Sequence, residues 1–256
     1  MKTDTNRKIL EFITKKGQTT PKEIIDFIGF SAPAVFRQLK KLLEKGLIQK
    51  SGLSPNVFYH LPMSAKERIK GQIVRWVTEE HAFDLETDFY CPTRDIFQAR
   101  QDKLPKNLIQ MTNDEQLSFL LSAVVGEIGN NSFDHNLGNW PDVSGIFFKI
   151  DRDEEIIMLA DRGQGVYASL KKIKPDIIDD KGALKVAFTE IISGRMPEHR
   201  GNGLKFVRRV IIENNLKLEF FSGQAKCVIK NRQTDFLESG KNISGTVAII
   251  DFKITI

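Results

Sequence analysis

The sequence has few cysteines and histidines, and their scarcity excludes several kinds of site. Its 256 residues contain two cysteines, Cys91 and Cys227, which lie too far apart for the short spacing of metal ligands. The four histidines are scattered along the chain and form no zinc-binding pattern. We therefore expect free thiols in a reducing compartment rather than a disulfide framework or a zinc site.

Long apolar runs are also missing. No stretch approaches the roughly 18 apolar residues that span a bilayer, and the first residues, MKTDTNRKILEF, lack the apolar segment of a signal peptide. Hydrophobic residues nevertheless make up 41% of the chain, which is enough for an ordinary buried core. These features predict a cytoplasmic protein with no membrane partner.

Positive charge is concentrated in the first quarter of the chain. Residues 1–62 contain eleven Lys or Arg and five Asp or Glu, whereas the remaining residues contain 27 and 28. The net charge of +5 therefore belongs to the N-terminal segment. This asymmetry predicts two modules with different partners.

Residues 1–62 carry the signals of three short helices and a hairpin. Thr20, Pro21 and Glu23 predict a capping box that begins the second helix. The third helix follows Ser31, and its apolar residues are Val35, Phe36, Leu39, Leu42 and Leu43. Two apolar runs, LIQK and VFYHL, then flank a loop and predict a β-hairpin.

This order of elements is typical of a winged helix-turn-helix domain. The stretch SAPAVFRQLKKLLEKGLIQK resembles the recognition helix and first wing strand of bacterial winged-helix regulators. In that geometry Arg37 and Gln38 reach base edges in the major groove, whereas Lys41 and Lys50 meet phosphates. We then expect a homodimer that reads paired half-sites of double-stranded DNA. The alternative is a small helical domain that binds protein and has a solvated basic face.

A helical connector is predicted over residues 63–112. Within it, positions 64–82 have the periodicity of a helix whose inward residues are Ile69, Ile73, Trp76 and Val77. We expect this helix to join the two modules.

The next helix is long, and its polar end is the first chemical motif. Asn113 and Gln116 predict a capping box at its start. Its apolar stripe continues to Asn131 and His135, with Glu127 at the border. Because burying an unpartnered amide or acid costs several kcal/mol, this end either faces a ligand or emerges into water.

Two glycine-rich turns supply the other motifs. The strand EEIIMLAD runs into DRGQG, so Asp161 ends a buried strand and Gly163 and Gly165 follow in a tight loop. Further along, Gly201 and Gly203 open an amphipathic helix whose first backbone N–H groups favour phosphate. Turns of either kind are common, so the order of the motifs is more informative than each one alone.

Together these motifs resemble the GHKL ATPase superfamily, which includes gyrase, heat-shock chaperones and histidine kinases. The matching order is Glu127-x-x-x-Asn131 on a helix, D-x-G-x-G after a strand, and G-x-G-L opening a helix. The segment SGTVAIIDFKI adds Thr246 on a late strand. The resemblance covers residues 113–256 and implies an α/β sandwich of the GHKL (Bergerat) ATP-binding fold behind the winged helix.

The resemblance also implies a role for each residue. Asp161, helped by Thr246, would accept a hydrogen bond from the adenine amino group. Asn131 would coordinate Mg²⁺, and Glu127 would polarise water in a slow Mg²⁺-dependent ATPase. Residues 194–203 would form a lid. The implied ATP-binding residues are Asn131, Asp161, Gly163, Gly165, Gly201, Gly203, Leu204 and Thr246.

Two other functions share parts of this pattern. GQGVYA fits the G-x-G-x-x-A turn of a dinucleotide-binding domain, but the segment KPDIIDDKGALKV does not supply the second parallel strand that such a domain needs. An anti-sigma-factor-type serine protein kinase, acting on a STAS-like partner protein, has the same three motifs. We expect instead an ATP-binding transcriptional regulator in which the ATPase module gates the winged helix.

Overall fold

The computed structural model describes residues 2–136, 140–190 and 202–253. The chain folds into two compact units, Met1–Glu67 and Arg68–Ile256. Most of the predicted connector, residues 63–112, therefore belongs to the second unit.

The first unit contains three helices and a small sheet. Its three strands are antiparallel and lie in the order β1-β3-β2. The elements are α1 (Lys2–Lys16), β1 (Gln18–Thr19), α2 (Pro21–Ile28), α3 (Ala32–Glu44), β2 (Gln49–Ser51) and β3 (Phe58–His60). The hairpin of β2 and β3 is the predicted wing, and the short strand β1 adds an edge that the sequence did not indicate.

The predicted capping box of α2 is confirmed. The Glu23 N–H donates to Thr20 Oγ1 at 3.3 Å, and the Thr20 N–H donates to Glu23 Oε2 at 2.9 Å. Helix α3 packs through Val35, Leu39 and Leu42. Phe36, predicted as part of that apolar face, is instead 46% exposed.

The second unit is built on one five-stranded sheet. Every neighbouring pair of strands is antiparallel, in the order β4-β5-β6-β8-β7. The elements are α4 (Ala65–Thr78), β4 (Tyr90–Cys91), α5 (Arg94–Gln101), α6 (Leu104–Thr112), α7 (Glu115–Asn136), β5 (Ile146–Asp151), β6 (Ile156–Asp161), α8 (Gly165–Lys171), α9 (Asp180–Thr189), α10 (Gly203–Glu213), β7 (Lys217–Lys230) and β8 (Gln233–Asp251). A dinucleotide-binding domain needs parallel strands around its glycine turn, so that alternative is wrong.

Helices cover both faces of this sheet, because successive strand residues point to opposite sides. Ile157 and Leu159 face a core formed with α5, α6, α7, α9 and α10. Met158 faces the opposite side, where Ile73 and Trp76 of α4 pack. The helix predicted at 64–82 as a connector is therefore also a structural layer of the second unit.

Helix α7 begins one residue later than predicted. Asn113 has a left-handed conformation, with φ of 51°, and ends α6. Asp114 Oδ1 then accepts the Leu117 N–H at 2.9 Å and caps α7. The predicted capping box of Asn113 and Gln116 is wrong because Asn113 is already used to end the preceding helix.

Candidate functional site

Asp161 is the centre of a buried hydrogen-bond network at the end of β6. Its side chain is 1% exposed, and the strand register places it opposite Thr246 of β8. Thr246 Oγ1 and Ser132 Oγ donate to Asp161 Oδ2 at 2.5 and 2.9 Å. Asn136 Nδ2 and the Gly163 N–H donate to Oδ1 at 3.1 and 2.8 Å. These four donors match the roughly four acceptor positions of a carboxylate.

The surroundings of Asp161 act on its ionisation in opposite directions. Burial raises the pKa of Asp161, whereas the hydrogen bonds from Thr246, Ser132, Gly163 and Asn136 lower it, and burial is the largest effect. The charged form of Asp161 therefore depends on its donors. Loss of any one of them would leave a buried carboxylate less well stabilised.

The two glycines of the DRGQG turn are required for different reasons. A Cβ on Gly163 would lie 2.0 Å from Asn136 Nδ2, so this position allows close approach of α7. Gly165 has φ of +76°, a conformation that favours glycine. The Gln164 N–H donates to Asn136 Oδ1 at 2.8 Å, so Asn136 joins the turn to Asp161.

The first turn of α10 packs against the same helix, α7. A Cβ on Gly203 would lie 2.3 Å from Glu127 Oε2 and 3.3 Å from Asn131 Nδ2. Asn202, the N-cap residue, makes no side-chain hydrogen bond to the first turn of α10. The positive end of the α10 dipole therefore lies beside an acid and an amide. Leu204 is half-buried against the main core.

Helix α7 turns different polar residues inward from those predicted. Ser132 and Asn136 are buried, whereas Glu127 and His135 are exposed and Asn131 is half-buried. The predicted inward orientation of His135 is therefore wrong, whereas Asn131 is partly turned inward, beside the first turn of α10. The structure brings Glu127, Asn131 and Gly203 together on one side of α7 and Asp161 with Thr246 on another.

Part of the predicted site lies outside the described residues. Gly201 and most of the predicted lid, 194–203, belong to that part of the chain. Of the lid, the structure describes residues 202 and 203.

Arg162 carries no motif signal in the sequence, yet its side chain in the DRGQG turn is buried and makes four hydrogen bonds. It is 4% exposed, and its Nε donates to Asp142 Oδ2 at 2.7 Å. Its Nη1 donates to the carbonyls of Trp76 and, at 3.0 Å, Glu79, and its Nη2 to the Glu80 carbonyl at 3.3 Å. The Trp76 carbonyl lies in the last turn of α4, and the Glu79 and Glu80 carbonyls directly follow the helix. A cation at this end of α4 also interacts favourably with the helix dipole.

The predicted DNA-contacting residues lie on α3 and the wing. Arg37, Lys41 and Lys50 are exposed, and Gln38 is half-buried. Arg37 Nε donates to the Pro33 carbonyl at 3.3 Å. This places positive charge on the outer side of α3 and on strand β2.

Membrane and metal signals are not found over the described ranges 2–136, 140–190 and 202–253. There, no helix is both long and apolar enough to cross a bilayer. Within the same ranges no group of three or more His, Cys, Asp or Glu side chains could hold a metal ion.

Comparison with known proteins identifies a family for the N-terminal part of the chain. A family model described as winged helix-turn-helix DNA-binding matches residues 2–49. No curated protein matches the chain. The crystal structure of Pseudomonas aeruginosa HmgR is similar over 98% of this chain and 86% of that one, at 11% identity and a TM-score of 0.22. With the three helices, the wing and the family match, the N-terminal unit is a winged helix-turn-helix DNA-binding domain.

Proposed function

We propose that this protein is a transcriptional regulator whose second unit binds ATP with Mg²⁺ and gates DNA binding by the winged helix. The observation that carries the proposal is that two separate segments, the DRGQG turn and the start of α10, both contact α7. The DRGQG turn contacts α7 through Asp161 and Ser132, and the start of α10 contacts it through Gly203 and Glu127. This order and placement support a GHKL-type fold.

The start of α10 suits the phosphates of ATP. Its first backbone N–H groups have no side-chain cap from Asn202. Gly203 carries no Cβ, which would otherwise lie 2.3 Å from Glu127 Oε2. The Asn131 amide lies beside this turn with Nδ2 nearest to Gly203, and rotation of the amide would present its oxygen to Mg²⁺. Mg²⁺ prefers oxygen ligands and takes few of them from protein when phosphates supply the rest. When bound, Mg²⁺ would neutralise phosphate charge.

Asp161 would bind the adenine end of ATP. Because four protein donors already occupy its carboxylate, the adenine amino group would share Oδ2 with the Thr246 or Ser132 hydroxyl. Either hydroxyl can rotate and turn its lone pairs to another donor. Gly163 and Gly165 would shape the turn beneath the base, Gly163 by allowing the close approach of Asn136 and Gly165 by its positive φ.

Glu127 is the proposed general base. Its carboxylate is exposed and lies beside the start of α10. In hydrolysis a water oxygen would attack the terminal phosphorus, the bond from that phosphorus to ADP would break, and Glu127 would take the water proton.

Gating is proposed to run through Arg162 and α4. Arg162 directly follows Asp161 and donates to the Trp76 carbonyl in the last turn of α4 and to the Glu79 carbonyl just after it. The N-terminal end of α4 lies at the boundary with the winged helix. ATP regulates DNA binding only if it has different affinities for two arrangements of this connection.

Titration of the full chain with labelled ATP, with and without Mg²⁺, tests the nucleotide site. The wild type should bind ATP, Asp161→Asn should lose binding, and Glu127→Ala should keep binding but lose turnover. Binding of NAD without binding of ATP would contradict the proposal. Full-rate hydrolysis by the Glu127 variant would refute the role of that residue alone.

Gel shifts on duplex DNA at several salt concentrations test the DNA-binding residues. Arg37→Ala and Lys41→Ala should weaken binding, and loss of a phosphate contact should lower the salt slope by about 1. Lys181→Ala removes an exposed lysine of the second unit and is the control. The proposed homodimer should bind with two chains per DNA site, one on each of the two half-sites. No shift at low salt would favour a winged helix that binds protein.

A further inference from the structure

We propose that Phe36 is a specificity-determining residue that contacts the C5 methyl group of a thymine in the DNA site. This inference rests on DNA binding by the winged helix and is independent of ATP.

Phe36 does not belong to the hydrophobic core of the winged-helix unit. Helix α3 packs inward through Val35, Leu39 and Leu42, which are all buried. Each residue advances a helix by about 100°, so Phe36 lies on the flank of the outward face, next to Arg37. Its ring is 46% exposed. A large aromatic side chain held half in water gains little stability from this position.

The side chains around Phe36 are complementary to nucleic acid. Arg37, Lys40 and Lys41 follow it on exposed positions of α3, and Pro33 lies exposed one turn earlier. Arg37 Nε donates to the Pro33 carbonyl at 3.3 Å, and this hydrogen bond holds the guanidinium group along the first turn of α3. Phe30, just before α3, is also exposed, but Phe36 is the exposed ring that lies among the cations of α3 itself. A surface that mixes cations with an exposed ring favours a polyanion that also offers an apolar group.

The DNA major groove meets both requirements. The N-terminal part of a recognition helix lies in this groove, and Phe36 is the fifth residue of α3. The thymine C5 methyl is the apolar group that base pairs display there, and phenylalanine is among the side chains that contact it. Arg37, the next residue, would then read or hold the neighbouring position.

The test removes the methyl group alone. A binding site is first selected from random duplexes with the full chain, and each thymine in it is then replaced singly by deoxyuridine. The wild type should lose about fourfold in affinity at one replacement, the factor that corresponds to roughly 0.8 kcal/mol for one buried methyl. Phe36→Ala should bind the thymine and deoxyuridine sites equally, whereas Phe36→Leu should keep part of the difference.

Phe119→Ala is the matched control, because Phe119 is also a half-exposed phenylalanine, 54% exposed, but lies on α7. It should show the wild-type deoxyuridine penalty.

If the wild type tolerates every replacement, or Phe36→Ala keeps the penalty, the assignment is overturned. A change of oligomeric state in Phe36→Ala without any thymine dependence would also overturn it and assign the ring to a protein contact. Failure to select any DNA at low salt would refute DNA binding itself, and ATP binding is measured separately.

Discussion

At the scale of single residues, Gly163 and Gly203 both approach α7 closely, but the α7 side chains that they contact differ in how easily they can move. A Cβ on Gly163 would meet the side chain of Asn136, which is buried and bonded to Asp161. A Cβ on Gly203 would meet the end of the Glu127 side chain, which is exposed and can move. The two glycines should therefore respond differently to the same substitution.

We predict that Gly163→Ala destabilises the protein and Gly203→Ala does not. The first change displaces Asn136 and costs about 2–4 kcal/mol through lost buried hydrogen bonds. The second should change stability by no more than about 1 kcal/mol, because alanine suits a helix, while it lowers ATP affinity or turnover by moving Glu127. Denaturant unfolding and ATP titration of both variants measure this. Equal stability losses would contradict the account.

Sequence alone could find Asp161 and its glycines but not the donors that satisfy Asp161. The strand end and glycine spacing mark Asp161, whereas Ser132 and Asn136 are common residues in a long helix. The helix is buried over a wider face than an amphipathic stripe suggests, because Gly129 lets the Phe97 ring pack against it. Counting along the apolar stripe therefore selected Asn131, the neighbour of the residue that points inward.

At the scale of elements, the start of α2 depends on one ionised side chain. The pKa of Glu23 is lowered to about 2, first by its bond with Lys16, then by the Thr20 backbone and the hydroxyls of Thr19 and Thr20. The Lys16 Nζ lies 2.6 Å from Glu23 Oε1. A lowered pKa in the folded state means that this contribution is present above the unfolded pKa of 4.5 and is lost as pH falls toward about 2.

We predict that Glu23→Gln weakens the winged-helix unit at neutral pH and that this difference disappears in acid. The measurement is the unfolding midpoint of wild type and variant between pH 7 and pH 2. Glu11→Gln is the control, since it removes an exposed carboxylate paired with Arg7 on α1. A difference between wild type and Glu23→Gln that does not change with pH would contradict the capping role of the carboxylate.

The contact between Arg162 and the end of α4 makes a second prediction at this scale. Arg162→Met should cost roughly 1–3 kcal/mol, because it removes the donor of the buried Trp76 carbonyl and the partner of Asp142. Arg162→Lys should be milder for stability, yet it loses the planar fork and should uncouple ATP from DNA binding.

The control for Arg162 is Arg75→Ala, in the same helix. Arg75 is 69% exposed and pairs with Glu79, so its loss should change stability by at most about 1 kcal/mol. ATP titration and DNA affinity with and without ATP are measured for all variants. Normal coupling in Arg162→Lys would exclude Arg162 from the gating route.

Elements were predictable where local signals define them. The capping box at Thr20 and Glu23 marks the start of α2, and the wing hairpin follows from two apolar runs. The packing of α4 was not predictable, because periodicity shows that Trp76 points inward but not which surface it meets. Strand β1 has two residues and carries no periodic signal of its own.

At the scale of the whole molecule, the uneven distribution of charge agrees with two units that bind different partners. The basic residues of 1–62 belong to the winged helix-turn-helix domain, and the motifs that resemble an ATPase belong to the second unit. The central claim is that ATP binding to the second unit and DNA binding to the first are thermodynamically coupled. Linkage requires that any factor by which ATP changes DNA affinity equals the factor by which DNA changes ATP affinity.

Reciprocal titration of the full chain tests this claim most directly. The Kd for the selected DNA is measured with and without saturating ATP and Mg²⁺, and the Kd for ATP with and without that DNA. We predict the same change in both, about 5- to 150-fold for an ordinary coupling, and none in Asp161→Asn. If ATP binds but leaves the DNA Kd of the wild type unchanged, the claim that the second unit gates the winged helix is contradicted.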